Sequence, residues 1–259
     1  MTASRDRRLT QIGLDRLVRL KWLEKTASLC LADNHAETIA RILKTDLSEH
    51  FQPDESVVRG SIDKAITVLL NVWAKAPRDL EPLRREGIDL LKRLPEKERI
   101  AVHWGMIMAV YPFWASVAAQ VGRLLRLQGS VAAAQVQRRV REQYGERETV
   151  SRRVRYVLRS YVDWGVLNEA ESKGVYGAPS ALPVDDLSLI SWVVEASLHA
   201  RPSMTAPLRD LIDSPSLFPF RLKPIRAESL LATSRHIDLF PHGLDDELVV
   251  LHQQSAKGT

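Results

Sequence analysis

The sequence predicts a mostly α-helical protein built from three consecutive parts. Apolar residues recur every three or four positions along most of the chain, and hairpin-like segments occur only in its second half. We expect an N-terminal helical bundle over residues 1–112, a winged helix-turn-helix over residues 113–182 and a C-terminal helical region over residues 183–259. The chain has 259 residues, of which 45% are hydrophobic, and these suffice for two or three compact units.

Helical spacing dominates the first hundred residues, and no strand pattern competes with it. Pro53, Pro77 and Pro95 separate successive segments, because proline is accepted in the first turn of a helix but not in its interior. Short loops between helices are typical of a bundle. The expected helices cover residues 9–31, 36–51, 55–75, 80–94 and 95–110.

The N-terminus is basic, with seven lysines and arginines against three acidic residues over residues 1–25. Such an arm has the charge to touch a DNA backbone, but basic termini are more often solvated. We therefore expect residues 5–8 to be disordered and exposed to solvent.

A nearly uncharged run over residues 103–122 has the length of a membrane span. Pro112 interrupts the run at its middle, and many of its apolar residues are alanines. We expect two buried helices that meet at Tyr111 and Pro112, and no contact with a membrane. The single cysteine, Cys30, and the polar first eight residues predict a cytoplasmic protein without disulfides.

The middle of the chain shows three amphipathic segments followed by a hairpin pattern. The segments are SVAAQVGRLLRLQ, SVAAAQVQRRVREQY and TVSRRVRYVLRSYVDW, with turns at Gly129 and Gly145. GVLNEAE and VYGAP then flank a turn over residues 172–174. Three helices followed by a hairpin is the element order of a winged helix-turn-helix, whose third helix commonly enters the major groove of DNA.

The third segment has two distinct faces. Thr149 is the expected N-cap residue, because its hydroxyl can accept a hydrogen bond from a backbone N–H in the first turn. Arg152, Arg155 and Arg159 form an outer row, and their forked guanidinium groups suit phosphate or the edge of guanine. The residues predicted to form the buried stripe are Val150, Val154, Val157, Leu158 and Tyr161.

Positive charge is concentrated in this part of the chain. Residues 123–160 carry ten arginines, three glutamates and no lysine, a net charge of +7, whereas the whole chain carries only +5. Such a local excess indicates a polyanionic partner, and we predict double-stranded DNA bound mainly through its phosphates. The alternative is an ordinary solvated arginine face on a packing unit. The residues predicted to contact DNA are Arg138, Arg141, Arg147, Arg152, Arg153, Arg155, Arg159 and, at the hairpin turn, Lys173.

A further set of helices, ending in a hairpin, is predicted after residue 181. Asp185 or Asp186 is expected to cap a helix that reaches residue 198. A short helix over residues 204–212, a proline-rich loop and a helix over residues 227–232 follow, and a hairpin with its turn over residues 241–243 closes the region. This order repeats that of the middle part, so a second, degenerate winged helix with a packing or protein-contact role is an open alternative.

The sequence contains no local motif for catalysis or for cofactor binding. A phosphate-binding glycine loop, an HExxH pair and a nucleophile elbow are all missing, and the seven histidines are scattered. Asp245, Asp246 and Glu247 are expected to be a solvated hairpin flank and not a cation site. We therefore predict no catalytic residues, no cofactor, no metal and no small-molecule substrate, with an active site assembled from distant residues as the open alternative.

Several stretches resemble the BrxA accessory proteins of BREX phage-defence systems. They are the helical first half, the run LP-x-x-E-R followed by HWGMIMAVYPFW, and the arginine-rich helix that ends in VDWGVL. The resemblance covers roughly residues 30–170. It implies a non-enzymatic DNA-binding component of a bacterial anti-phage system, with other defence proteins as further partners. The alternatives are a protein–protein scaffold or a transcriptional regulator that uses its winged helix to dock a partner.

Overall fold

The computed structural model describes residues 2–48, 55–243 and 246–252 of the chain. Helices make up 63% of the structure, and the sheets are small. The prediction of a mostly α-helical protein is therefore confirmed. One hydrophobic core runs through all three parts, from Leu14 to Leu251.

In the described residues, the N-terminal part contains six α-helices, which agree closely with the predicted segments. The exception is the expected single helix over residues 9–31, which is two helices joined by an irregular stretch over residues 11–19. The six helices are α1 (Thr2–Thr10), α2 (Leu20–Leu31), α3 (Ala36–Ser48), α4 (Glu55–Trp73), α5 (Glu81–Arg93) and α6 (Glu96–Val110). The predicted end of α3, over residues 49–51, lies outside the described residues.

The basic N-terminus is ordered, so the expectation of a disordered arm was wrong. The guanidinium of Arg8 is 8% exposed; it donates to the backbone oxygen of Ala109 (2.5 Å) and pairs with Asp79. Arg5 donates to the backbone oxygen of Arg201 over 2.6 Å. These arginines are held because carbonyls near the ends of helices lack intrahelical partners and accept hydrogen bonds from guanidinium groups.

The apolar run forms two helices that break at Tyr111, as predicted. Helix α6 ends at Val110, α7 (Pro112–Gln128) begins with proline at its first position, and their axes are bent by 117°. No single described helix is long and apolar enough to cross a membrane; this bent pair meets the criterion only when both helices are taken together. Most of its side chains are buried in the core.

Residues 112–177 form what we call the first unit. Helix α7 is followed by β1 (Val131–Ala132), α8 (Ala133–Tyr144), α9 (Glu148–Asp163), β2 (Asn168–Glu169) and β3 (Val175–Gly177). The strands form an antiparallel sheet in the order β1-β3-β2. Strand β1 was expected to be the start of a helix; instead Val131 and Ala132 pair with Tyr176 and Val175, and α8 begins directly after them.

Residues 187–251 form the second unit. It begins with α10 (Leu187–His199), which Asp186 caps by accepting from the backbone N–H of Leu189 over 2.8 Å, as predicted. The further elements are β5 (Thr205–Pro207), α11 (Leu208–Ile212), β6 (Phe220–Leu222), α12 (Ala227–Thr233), β7 (Ile237–His242) and β8 (Asp246–Leu251). The closing hairpin is confirmed, but its turn was predicted too early, since Pro241 and His242 belong to β7 and pair with Glu247 and Asp246. The first half of the helix expected over residues 204–212 is a strand, because it pairs with β8.

The two units are joined through a segment inserted between α11 and α12. Its strand β6 pairs in parallel with β4 (Leu182–Val184), which precedes α10. A short 3-10 turn (Pro215–Leu217) in the same insert packs on α7. The insert therefore ties the second unit to the first helix of the first unit.

Candidate nucleic-acid interface

Helix α9 is fixed in the fold by its inner face. The five residues predicted to form its buried stripe are all at most 1% exposed, so that prediction is confirmed. Ser151 and Ser160 are also buried, which the apolar pattern did not reveal. The hydroxyl of Ser160 donates to the backbone oxygen of Tyr156 and accepts from the N–H of Val18, so it is not an unpaired polar group in the core.

An aromatic cluster anchors the C-terminal half of α9. The ring centroid of Tyr161 lies 5.0 Å from that of Trp104 and 4.7 Å from that of Trp114. The Tyr161 hydroxyl donates to the backbone oxygen of Trp114 (2.9 Å), and complete burial raises the pKa of this phenol well above its usual value. Rings from the second unit, Phe218 and Phe220, contact Trp104 as well. The helix is therefore held against a rigid base.

The outer face of α9 presents the predicted arginine row to solvent. Arg152, Arg155 and Arg159 are all exposed. Arg155 pairs with Glu148 one to two turns away, at 2.9 Å. The side chains of Arg152 and Arg159 make no ion pair or hydrogen bond to any other residue that the structure describes. Two guanidinium groups on a rigid helix are thus available to an external anion.

Three further predicted arginines lie on or beside α8. Arg138 is exposed and 4.0 Å from Glu142, Arg141 is half-buried and 3.2 Å from Glu146, and Arg147 donates to the backbone oxygen of Tyr144 over 3.2 Å. The Arg138–Glu142 pair is exposed, and pairs of this kind are weak and readily exchanged for another anion.

Arg153 differs from the other arginines of α9. Its side chain is half-buried, and its Nε atom is enclosed without a hydrogen-bond partner among the described residues. It flanks the exposed row and does not belong to it.

The start of α9 differs from the prediction. The helix begins at Glu148, so Arg147 and not Thr149 occupies the N-cap position, and no side chain caps it. The Glu148 carboxylate lies in the first turn, where a negative charge interacts favourably with the helix dipole. Glu148 thus both stabilises the start of α9 and partly neutralises its outer face.

The turn between β2 and β3 carries Lys173 next to Gly174. Lys173 is exposed, and within the described parts of the chain its side chain contacts no acidic group. Gly174 has a φ of +77°, a conformation that favours glycine. Its carbonyl accepts from the N–H of Ala133, the first residue of α8, over 2.8 Å. The turn is thereby connected to the helical part of the unit.

Strand β3 lies close to the arginine row. Tyr176 is 9% exposed; burial and the nearby Glu169 raise the pKa of its hydroxyl, and the positive charge of Arg159 opposes this effect. Arg159 is therefore near the sheet. We call the exposed basic residues of α8, α9 and the β2–β3 turn the arginine face; it comprises Arg138, Arg147, Arg152, Arg155, Arg159 and Lys173.

Two other arginines in the +7 segment have different surroundings. Arg126 donates to the backbone oxygen of Asp213 over 2.7 Å, and so helps to hold the insert of the second unit. Arg139, on α8, is half-buried. Positive charge counted along the sequence therefore overstates the charge available for a partner.

Comparison of the chain with protein-family models, curated proteins and solved structures found no match.

Proposed function

We propose that the first unit is a winged helix-turn-helix that binds double-stranded DNA through its arginine face. The observation that carries this proposal is the pair of exposed, unpartnered guanidinium groups of Arg152 and Arg159 on a helix whose other side is fully packed. In this arrangement α9 is the groove-facing helix and the β2–β3 turn is the wing.

Affinity would come mainly from phosphate contacts. Helix α9 carries four arginines and neither asparagine nor glutamine, which are the residues that recognise adenine by paired hydrogen bonds. Arginine can still recognise guanine, so base preference is weak and not nil. Binding to phosphates releases counterions, and the affinity should fall steeply as salt rises.

The resemblance to the BrxA family leads us to place this activity in a bacterial anti-phage system, as a non-enzymatic accessory protein of the cytoplasm. The second candidate is a scaffold that docks an acidic protein surface on the same face. It is favoured by two arginines of this face that already pair with glutamates, Arg138 and Arg155.

The test is a fluorescence-anisotropy titration of a random-sequence duplex at several salt concentrations. A triple variant, Arg152→Ala, Arg155→Ala and Arg159→Ala, should bind more weakly and should reduce the slope of log K against log salt by up to about 2.7, or about 0.9 for each lost contact. Its melting temperature should change little, because exposed substitutions usually alter stability by about 0.5 kcal/mol or less.

The matched control removes the same charge from the second unit. Arg209, Arg221 and Arg226 are exposed there, and their alanine variants should bind the duplex like the parent protein. If the parent protein binds no duplex at low salt, or if both triple variants lose the same affinity for the duplex, the arginine face does not bind DNA. If the arginine face binds an acidic protein and excess bare duplex does not compete with that binding, the scaffold is favoured.

A further inference from the structure

A second cluster of chemically active side chains lies outside the arginine face, where the second unit meets the helical bundle. It consists of Glu86 on α5, Glu195 on α10 and His236, the residue before β7. One donor atom from each side chain lies within 4.8 Å of the other two. The three residues are far apart in the sequence, and the fold alone brings them together.

The separations of His236 Nδ1 from the two carboxylate oxygens match those of ligands around one metal ion, and the two oxygens lie within 4.8 Å of each other. His236 Nδ1 is 3.3 Å from Glu195 Oε1 and 3.6 Å from Glu86 Oε1. Ligands bound tetrahedrally to zinc at about 2.1 Å are about 3.4 Å from one another. An ion between the three atoms would therefore fit without large rearrangement.

An ion pair between His236 and Glu195 accounts for only part of the arrangement. His236 Nδ1 is buried and makes no hydrogen bond of acceptable geometry to the described residues. A protonated Nδ1 has a single hydrogen, whereas two carboxylates face it. One of them, Glu195, has a side chain only 2% exposed, and a buried carboxylate is costly unless its charge is compensated.

The surroundings orient Glu195 towards the cluster. The Ser234 hydroxyl donates to Glu195 Oε2 over 3.4 Å, which leaves Oε1 for the cluster. His199 Nε2, one turn further along α10, is 3.8 Å from the same Oε1. Outer partners of this kind commonly position metal ligands.

We propose that Glu86, Glu195 and His236 bind a zinc ion that fixes the second unit on the helical bundle. Two carboxylates and one imidazole suit zinc, and three protein ligands leave a fourth position for water. Of the three ligands, His236 also lines a groove of about 720 Å³ beside Asp238 and Phe240. The ion would link α5 of the bundle to α10 and β7 of the second unit. This is contrary to the expectation from the sequence that no metal is bound.

The first test uses the unmodified protein. After removal of metals with a chelator, zinc should bind with a stoichiometry of one ion per chain in a calorimetric titration. At a concentration of about 100 times the dissociation constant, zinc should raise the melting temperature by about 5 °C or more, and EDTA should reverse the shift. No binding at about 100 µM zinc overturns the proposal. Binding of manganese without zinc overturns the assignment of the ion.

The second test uses variants of the two partly exposed ligands. Glu86→Gln and His236→Asn should each weaken zinc binding by about tenfold or more. Glu228→Gln and His242→Asn, which change an exposed glutamate and an exposed histidine of the same unit, should bind zinc like the parent protein. Unchanged affinity in both ligand variants overturns the site. Duplex binding by the arginine face is measured separately, so the zinc proposal can be wrong while the DNA-binding proposal is right.

Discussion

The first and second units have the same element order and opposite charge. In each, a helix leads to a short strand, two helices follow, and a hairpin closes a three-stranded antiparallel sheet in which the last strand lies in the middle. Yet residues 112–177 carry eleven basic and six acidic residues, whereas residues 187–251 carry six and eight. The same topology therefore occurs with two different surfaces, and the surface residues determine what each unit can bind.

The third helices show the difference most clearly. Helix α9 has 16 residues and four arginines, whereas α12 has seven residues, of which Glu228 alone is charged. Leu230 of α12 is fully buried against the unit, and Leu231 is 47% exposed. A helix of two turns with an acidic and apolar outer face has no basic side chain that could bind a phosphate backbone.

The second unit instead contributes to the packing of the first. Its insert places Phe218 and Phe220 against Trp104, and the indole N–H of Trp104 donates to the backbone oxygen of Ser216 over 3.1 Å. The same ring cluster holds α9 in place. The second unit thus supports the helix that we propose contacts DNA.

The largest expected effect comes from breaking the contact between the units. Gly122 lies in α7, where a Cβ would come within 2.1 Å of the backbone oxygen of Pro215. Gly122→Ala should lower the free energy of unfolding by about 1–3 kcal/mol, because a backbone carbonyl has to move, even though alanine favours helices. Urea denaturation measures the change.

The control is the same substitution at a position in α4. A Cβ at Gly60 meets no described atom within 4 Å, so Gly60→Ala should raise the free energy of unfolding by about 0.5–1 kcal/mol. If Gly122→Ala is as stabilising as Gly60→Ala, the insert does not pack on α7 as described, and the second unit does not support the first.

A smaller effect distinguishes the two hairpins. The first has Lys173 at its turn, and the second has the exposed His242 at the end of β7 with Asp246 paired opposite to it. Given the proposed function, Lys173→Glu should weaken duplex binding about two- to fivefold at low salt, because repulsion replaces a phosphate contact. His242→Glu should change nothing. Equal affinity of Lys173→Glu and the parent protein would leave α9 as the sole contact.

Periodicity in the sequence was sufficient to predict the long elements of both units. The buried stripe of α9 and the helices from α3 to α10 follow from apolar spacing. The start of α10 also follows from its aspartate cap. The strands β1, β4, β5 and β6 were missed, because two or three residues show no period and their partners lie about forty residues away. Long-range pairing also explains why the burial of Arg8 and the cluster around Glu195 could not be predicted from local patterns.

The smallest predicted change in the free energy of unfolding concerns the N-termini of α7 and α10, the first helices of the two units. Helix α7 begins with proline, whereas α10 begins after Asp186, which also accepts from both terminal nitrogens of Arg93 (2.7 and 2.9 Å). The Arg93 guanidinium, together with the backbone N–H of Leu189, lowers the pKa of Asp186 despite partial burial. Asp186→Asn preserves a good cap but removes the charge, and should cost about 0.5–1 kcal/mol at neutral pH.

The pH dependence of that cost identifies its origin. A carboxyl group whose pKa is lowered by folding stabilises the protein above its unfolded value of about 3.9, and this stabilisation is lost as pH falls through the folded value. The difference between the parent protein and Asp186→Asn should therefore narrow below about pH 4 in urea denaturation. Asp89→Asn, which breaks an exposed pair with Lys92, should have almost no effect at either pH. A difference for Asp186→Asn that persists undiminished in acid would assign it to the cap, and the second unit would then be attached to α5 without help from this charge.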